Sequence, residues 1–228
     1  MRRPGRAPAP IGSERGTSLV EMITVIAIMS IVLVAVYGLL ASVQTADARN
    51  SERNVNVGEA RLLIDDTSKD LRTAVRLTAT TSPFVYAKTT DVEFTATVDS
   101  ASAPVLVRMY VSATAQLVET VQQPDAGSCA STCTYTSSPP ASAVASRFVA
   151  QYITNSASQP VFTYNDSTGT ALSDPTSGLA STDLLKIRSV TVNYFVQHTS
   201  VFSTAAANLT TLVYLPNLDY NPSGSFSS

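Results

Sequence analysis

The chain has 228 residues, of which 44% are hydrophobic and 14% are charged, and its formal net charge is −2. One histidine and two cysteines are too few for a His-rich or Cys₄ zinc site, and the near-neutral charge lacks the basic footprint of a nucleic-acid-binding protein. The mean hydropathy of +0.13 argues against a disordered chain.

Residues 1–16 form a basic leader in front of a long apolar segment. Nineteen residues without a charge run from Met22 to Leu40, and at about 1.5 Å per helical residue they match the thickness of a bilayer core. Basic residues beside a membrane segment stay in the cytoplasm, so we expect the N-terminus inside and Val43 onward outside. The leader arginines are Arg2, Arg3, Arg6 and Arg15.

Two kinds of processing fit this N-terminal region. An ordinary secretory signal would be cut at a small-x-small site, which Ala46-Asp47-Ala48 offers. The apolar segment is longer than the usual signal of about 7–15 residues. The alternative is a cut in front of the apolar segment.

A glutamate interrupts the start of this apolar segment. A carboxylate in a membrane helix costs about 2.5–3.5 kcal/mol near the centre and less near the end. Taken alone, Glu21 would be interpreted as a side chain that reaches the cytoplasmic surface. It ends the sequence Gly16-Thr17-Ser18-Leu19-Val20-Glu21, which, between a basic leader and an apolar helix, resembles the type IV prepilin processing motif.

The resemblance implies a maturation route. In that family a membrane peptidase cuts after a glycine, the new N-terminus is methylated, and a glutamate stands at the fifth mature position. Here Gly16 would end the leader, Thr17 would be the mature N-terminus and Glu21 the fifth residue. The family usually has an apolar residue at the mature N-terminus, where this chain has Thr17. This difference is expected to affect the efficiency of methylation more than the cleavage. The resemblance also implies that Glu21 pairs with an α-amine when helices pack in a fibre, which offsets the burial of both charges.

The helix is predicted to continue beyond the apolar segment. No proline occurs between Ile11 and Ser82, and apolar or small residues recur in helical steps of three and four. We predict one helix from about Thr17 to Arg76, membrane-spanning over 17–43 and amphipathic over 44–77. The predicted buried positions are Ala60, Ile64, Thr67, Leu71, Ala74, Val75 and Thr78. The charged residues between them are interpreted as a solvated surface.

Residues 78–228 are predicted to form a β-rich globular head, because they are weakly charged and several segments alternate between apolar and polar residues. The fold class is therefore α+β, a long N-terminal helix packed on a mostly antiparallel sheet. The clearest predicted strands cover residues 92–98, 105–111, 190–196 and 209–215, and weaker ones cover 116–121, 148–153 and 161–164.

The order of these segments also resembles the W-type minor pilins and the J-type minor pseudopilins of type II secretion. Pro216 departs from this group, which often has arginine before its late Asn-Leu. The segments that carry the likeness are Leu71–Ala74, Asp91–Val98, Arg108–Leu117, Phe162–Gly169, Ile187–Val192 and Leu215–Leu218.

No pattern in the head indicates catalysis. Cys129 and Cys133 lie four residues apart and are expected to form a disulfide, with a free thiol pair as the alternative. Residues 165–169 have one carboxylate, so they indicate a turn rather than a calcium loop. His198 has no partner nearby in sequence, and no phosphate-binding or hydrolase motif is present. We expect no enzyme activity, no cofactor and no metal.

The resemblance implies a structural subunit of a type IV pilus or type II secretion pseudopilus, favoured as a minor subunit that primes or caps the fibre. Its implied partners are prepilin peptidase, other pilin or pseudopilin subunits, the membrane and the inner-membrane assembly platform, with no nucleic acid indicated. It would begin as a single-pass protein of the cytoplasmic membrane and move to an extracellular fibre. The alternatives are a major pilin, a membrane-anchored surface binding domain that does not polymerise, and a secreted enzyme.

Overall fold

The computed structural model describes residues 18–78, 80–97, 103–125, 129, 133–135, 144–156, 158–173, 177–198 and 206–218. One long N-terminal helix is followed by antiparallel sheets, which confirms the predicted α+β class. The chain divides into two compact units, of which one ends at Ala48 and the other begins at Arg49.

Helix α1 covers Leu19–Arg72, so its C-terminal end comes before the predicted Arg76. Its last turn tightens, because the backbone N–H of Thr73 donates to the Asp70 carbonyl at 3.0 Å. Ala74 then forms a β-bridge with Ala96, and the Val75 N–H donates to the Thr95 carbonyl at 2.9 Å. The predicted end was wrong because these residues pair with a strand that lies later in the chain.

The first sheet has five antiparallel strands in the order of the chain. Three of them fall close to predicted segments, because their β-branched and apolar residues alternate with period two. The four-residue strand β1 was not predicted, and β5 begins before the predicted residue 148. The strands are β1 (Phe84–Ala87), β2 (Asp91–Ala96), β3 (Val105–Val111), β4 (Leu117–Gln122) and β5 (Val144–Ala150).

The second sheet has three antiparallel strands: β6 (Phe162–Asn165), β7 (Ser189–Val196) and β8 (Ala207–Tyr214). The short helix α2 (Ser181–Leu184) precedes β7, and a 3₁₀ turn (Pro216–Leu218) follows β8. The Thr89 carbonyl accepts the N–H groups of Val161 and Phe162 at 3.0 and 2.9 Å. Residues beside the first sheet therefore fix the start of the second.

One hydrophobic core joins the inner faces of both sheets. Its largest fully buried side chains include Tyr164, Tyr194, Phe94 and Phe162. The phenol of Tyr164 donates to the Lys88 carbonyl at 2.8 Å, so its polar group is satisfied inside the core. Three residues of α1 also belong to this cluster: Ala60, Leu63 and Leu71.

Candidate functional site

The first half of α1 presents apolar side chains on every side. The large hydrophobic residues from Leu19 to Val43 are all between 52% and 75% exposed. By length and composition the helix is able to cross a membrane. A helix that is apolar all round is stable where lipid or other apolar helices surround it, so this surface is the first candidate site.

Three hydroxyl groups in and just beyond this segment donate to carbonyl groups of the helix itself. Thr24 Oγ1 donates to the Glu21 carbonyl at 2.8 Å, and Ser30 Oγ donates to the Ile26 carbonyl at 2.7 Å. Thr45 makes the same kind of bond to Ala41 at 2.8 Å. A hydroxyl group that already donates a hydrogen bond does not need water as a partner. Moving these groups into an apolar environment therefore costs less free energy than moving unbonded hydroxyls.

Glu21 lies in the first turn of α1. Its backbone N–H donates to the Ser18 carbonyl at 2.9 Å, and no side chain among the described residues pairs with its carboxylate. The positive end of the helix dipole favours a carboxylate at this position. Glu21 is therefore free to pair with a group outside the described chain.

The predicted processing residues Gly16 and Thr17 lie outside the described residues. The same holds for the leader arginines, which are Arg2, Arg3, Arg6 and Arg15.

The second half of α1 makes polar contacts with Tyr194 on β7, with His198 after β7 and with Asn217 in the 3₁₀ turn. Thr67 Oγ1 and the Tyr194 hydroxyl lie 2.8 Å apart in a buried hydrogen bond. The backbone N–H of His198 donates to Asn56 Oδ1 at 3.0 Å, and Asn217 Nδ2 donates to the Arg72 carbonyl at 3.1 Å. These bonds occur at three levels of the helix, from its middle to its last residue.

Arg147 on β5 collects three carboxylates from α1 and β4. Its guanidinium lies 3.0 Å from Asp66, 3.7 Å from Asp70 and in direct contact with Glu119. Asp70 and Glu119 are only 5% and 6% exposed. Burial and the nearby Glu119 raise the pKa of Asp70 to about 7, although Arg147 opposes this.

This cluster was not found from the sequence. The interpretation of the helix charges as a solvated surface was wrong for Asp70, which is buried. The sequence of β4 did contain a signal. Side chains alternate between the two faces of a strand, so Glu119 lies on the same face as Leu117 and Val121, the face that points inward. A carboxylate at such a position needs a cationic partner.

A second ion pair lies on the outward face of the first sheet. Arg108 donates to Asp91 through Nε at 3.1 Å and Nη2 at 2.8 Å, and the Tyr86 hydroxyl donates to the same carboxylate at 3.0 Å. The guanidinium of Arg108 also lies 4.7 Å from the ring centre of Tyr110. The hydrogen-bonding groups of these side chains are therefore paired with one another, as expected of a cross-strand network with a structural role.

The structure joins Cys129 and Cys133 by a disulfide, with their Cα atoms 4.2 Å apart. Asp166 Oδ1 accepts the backbone N–H groups of Thr168 and Thr170 at 2.8 and 3.0 Å. These bonds and the Thr168 hydroxyl, which contributes most, hold the pKa of Asp166 below its usual value. Its carboxylate therefore organises a turn, and no cluster of metal-ligating residues occurs in the described part of the chain.

His198 lies beside Tyr152, with 4.2 Å between the ring centres. Burial raises the pKa of the nearby Glu59 above its usual value, and His198 partly opposes this. His198 therefore follows β7 in the chain and lies near Tyr152 and near Asn56 and Glu59 of α1.

Comparisons of the chain with protein-family models, curated proteins and solved structures give no match.

Proposed function

We propose that the chain is a structural subunit of a type IV pilus or a type II secretion pseudopilus. In this proposal prepilin peptidase cuts behind Gly16, and the N-terminal helix first anchors the protein in the cytoplasmic membrane with its N-terminus inside. The assembly platform then moves the subunit into an extracellular fibre. The order of the head segments favours a minor subunit, which primes or caps the fibre.

The main support for this proposal is the position of Glu21, which lies at the start of an apolar helix that no described residue covers. The exposed side chains from Leu19 to Val43 need lipid before assembly and helices of other subunits afterwards. The self-satisfied hydroxyls of Thr24 and Ser30 suit both surroundings. A carboxylate without a partner in this segment is available to an α-amine of the same or a neighbouring subunit.

The second half of α1 has a different role in this proposal, which is to hold the head. The buried side chain of Leu63, the Thr67–Tyr194 hydrogen bond and the Arg147 cluster support packing of this half on the sheets. The head would then enter the fibre together with this half of the helix and be displayed outward.

Mass spectrometry of the mature N-terminus tests the processing step. A chain that begins at Thr17, methylated or not, is expected. An intact Met1 would instead favour a membrane-anchored surface domain, and a start at Arg49 would indicate an ordinary secretory signal. Either result contradicts the proposal.

Glu21→Ala tests the assembly step. We expect this variant to enter the membrane normally and to be lost from sheared fibres, because its helix lacks the partner for the amine. Glu14→Ala is the matched control. It also removes a carboxylate, but Glu14 lies in the leader, which in this proposal is cut off before assembly. Normal incorporation of Glu21→Ala would contradict the assigned role.

A further inference from the structure

The edges of the two sheets are not equally protected. An edge strand offers unpaired N–H and C=O groups to any other strand, and proteins usually block it with charges, proline, irregular pairing or covering chain. The edge strands here are β1, β5, β6 and β8.

Three of these edges have such protection. Ala87 of β1 accepts the Leu179 N–H at 3.0 Å, and Tyr164 of β6 accepts the Leu172 N–H at 2.8 Å. Both strands are therefore covered by other parts of the chain. Strand β5 has an irregular register opposite Leu117 and Val118 and carries Arg147.

Within the described part of the chain, strand β8 has none of these devices. Its sequence, ANLTTLVY, contains no charge, proline or glycine. All eight residues pair with β7 without a shift in register, and no described residue pairs with the other edge. Leu212 is 42% exposed and Tyr214 is 68% exposed. A long, regular and uncharged edge of this kind favours addition of another strand.

We propose that β8 pairs antiparallel with β8 of a second copy of this chain. A strand without charge meets its own copy without like-charge repulsion. Pairing centred on Thr211 places Asn208 opposite Tyr214 and Thr210 opposite Leu212, so the outward row of side chains continues from one copy to the other. The contact is self-complementary, as in two-fold dimers, and it joins two three-stranded sheets into one of six strands.

This pairing does not depend on the proposed fibre function, because it uses the head and not the apolar helix. Association in a fibre and pairing through β8 can be distinguished by the positions at which two copies crosslink. Contacts along a helical fibre join two different surfaces of neighbouring subunits, whereas the proposed two-fold contact brings β8 to β8.

Crosslinking of the full chain in detergent micelles tests the proposal. Thr210→Cys places a thiol on an exposed position of β8, and the described native cysteines are already joined to each other. With a short bis-maleimide we expect a covalent dimer. The control, Thr120→Cys on the interior strand β4, is expected to stay monomeric.

Leu212→Lys in the Thr210→Cys chain tests the strand contact itself. Two lysines would then lie close together across the pair, so most of the dimer should be lost. Phe148→Lys, at an exposed position of β5, should leave the dimer intact, and circular dichroism shows whether each variant is folded.

Absence of the Thr210→Cys dimer would overturn the proposal, as would equal yields from Thr210→Cys and Thr120→Cys. Survival of the dimer in Leu212→Lys would also overturn it. Crosslinking in cells to a different protein, in place of a second copy, would assign the edge to another partner and refute the pairing proposed here.

Discussion

The two halves of α1 have the same backbone conformation and opposite surroundings. From Leu19 to Val43 every large hydrophobic side chain is exposed, while from Asn56 to Leu71 one side of the helix is buried. Hydroxyl groups differ in the same way: Thr24 bonds to its own helix, and Thr67 bonds to Tyr194 on β7. Helix formation and helix packing are therefore separate properties of this sequence.

Truncation of one leucine in each half should produce the largest contrast. Leu63 is fully buried, so Leu63→Ala is expected to lower the free energy of unfolding of the head by about 2–5 kcal/mol. Leu33→Ala removes the same atoms from an exposed position and should leave head stability unchanged. Urea unfolding in detergent, followed by tyrosine fluorescence, measures both. Equal effects would show that the two halves do not differ as described.

The buried residues of the second half were only partly predictable. Helical spacing identified Ala60, Thr67 and Leu71, because they repeat in steps of three and four along one face. It missed Leu63, which borders that face. The burial of Asp70 depends on Arg147, a residue far later in the chain, and spacing within a helix contains no information about such a partner.

The strands show the same limit. Alternation located β3 and β7 well, since it reports which residues share a face. It does not report which strands pair, so the division into two sheets was not predicted. Strand β1 is four residues long, which is too short for alternation to stand out. The processing site at Gly16 and Thr17 stays a prediction from the motif.

The Arg147 cluster should make the stability of the head depend on pH. Burial raises the pKa of Asp70 to about 7, against about 3.9 in an unfolded chain. The folded state therefore holds this proton more tightly, and the resulting stabilisation is complete below about pH 4 and is lost as the pH rises towards about 7. We expect the urea midpoint of the head to fall across this window.

Asp70→Asn should flatten this profile, because the amide does not titrate. Asp65→Asn is the matched control: Asp65 is an exposed carboxylate on the same helix, and its replacement should retain the wild-type slope. The midpoint is measured by urea unfolding from pH 4.5 to pH 8. An Asp70→Asn chain with an unchanged slope would show that another group sets the pH dependence.

The smallest expected effect concerns single hydroxyl groups. Thr67→Val leaves the buried Tyr194 hydroxyl without its partner at 2.8 Å, which should cost about 1–2 kcal/mol of head stability. Thr24→Val removes a hydroxyl that bonds only within α1, so head stability should not change. Tyr194→Phe in the Thr67→Val chain removes the unpaired group and should recover part of the loss. If Thr67→Val and Thr24→Val were equally harmless, the contact between α1 and β7 would not contribute to stability, and the difference between the two halves would rest on apolar packing and the Arg147 cluster.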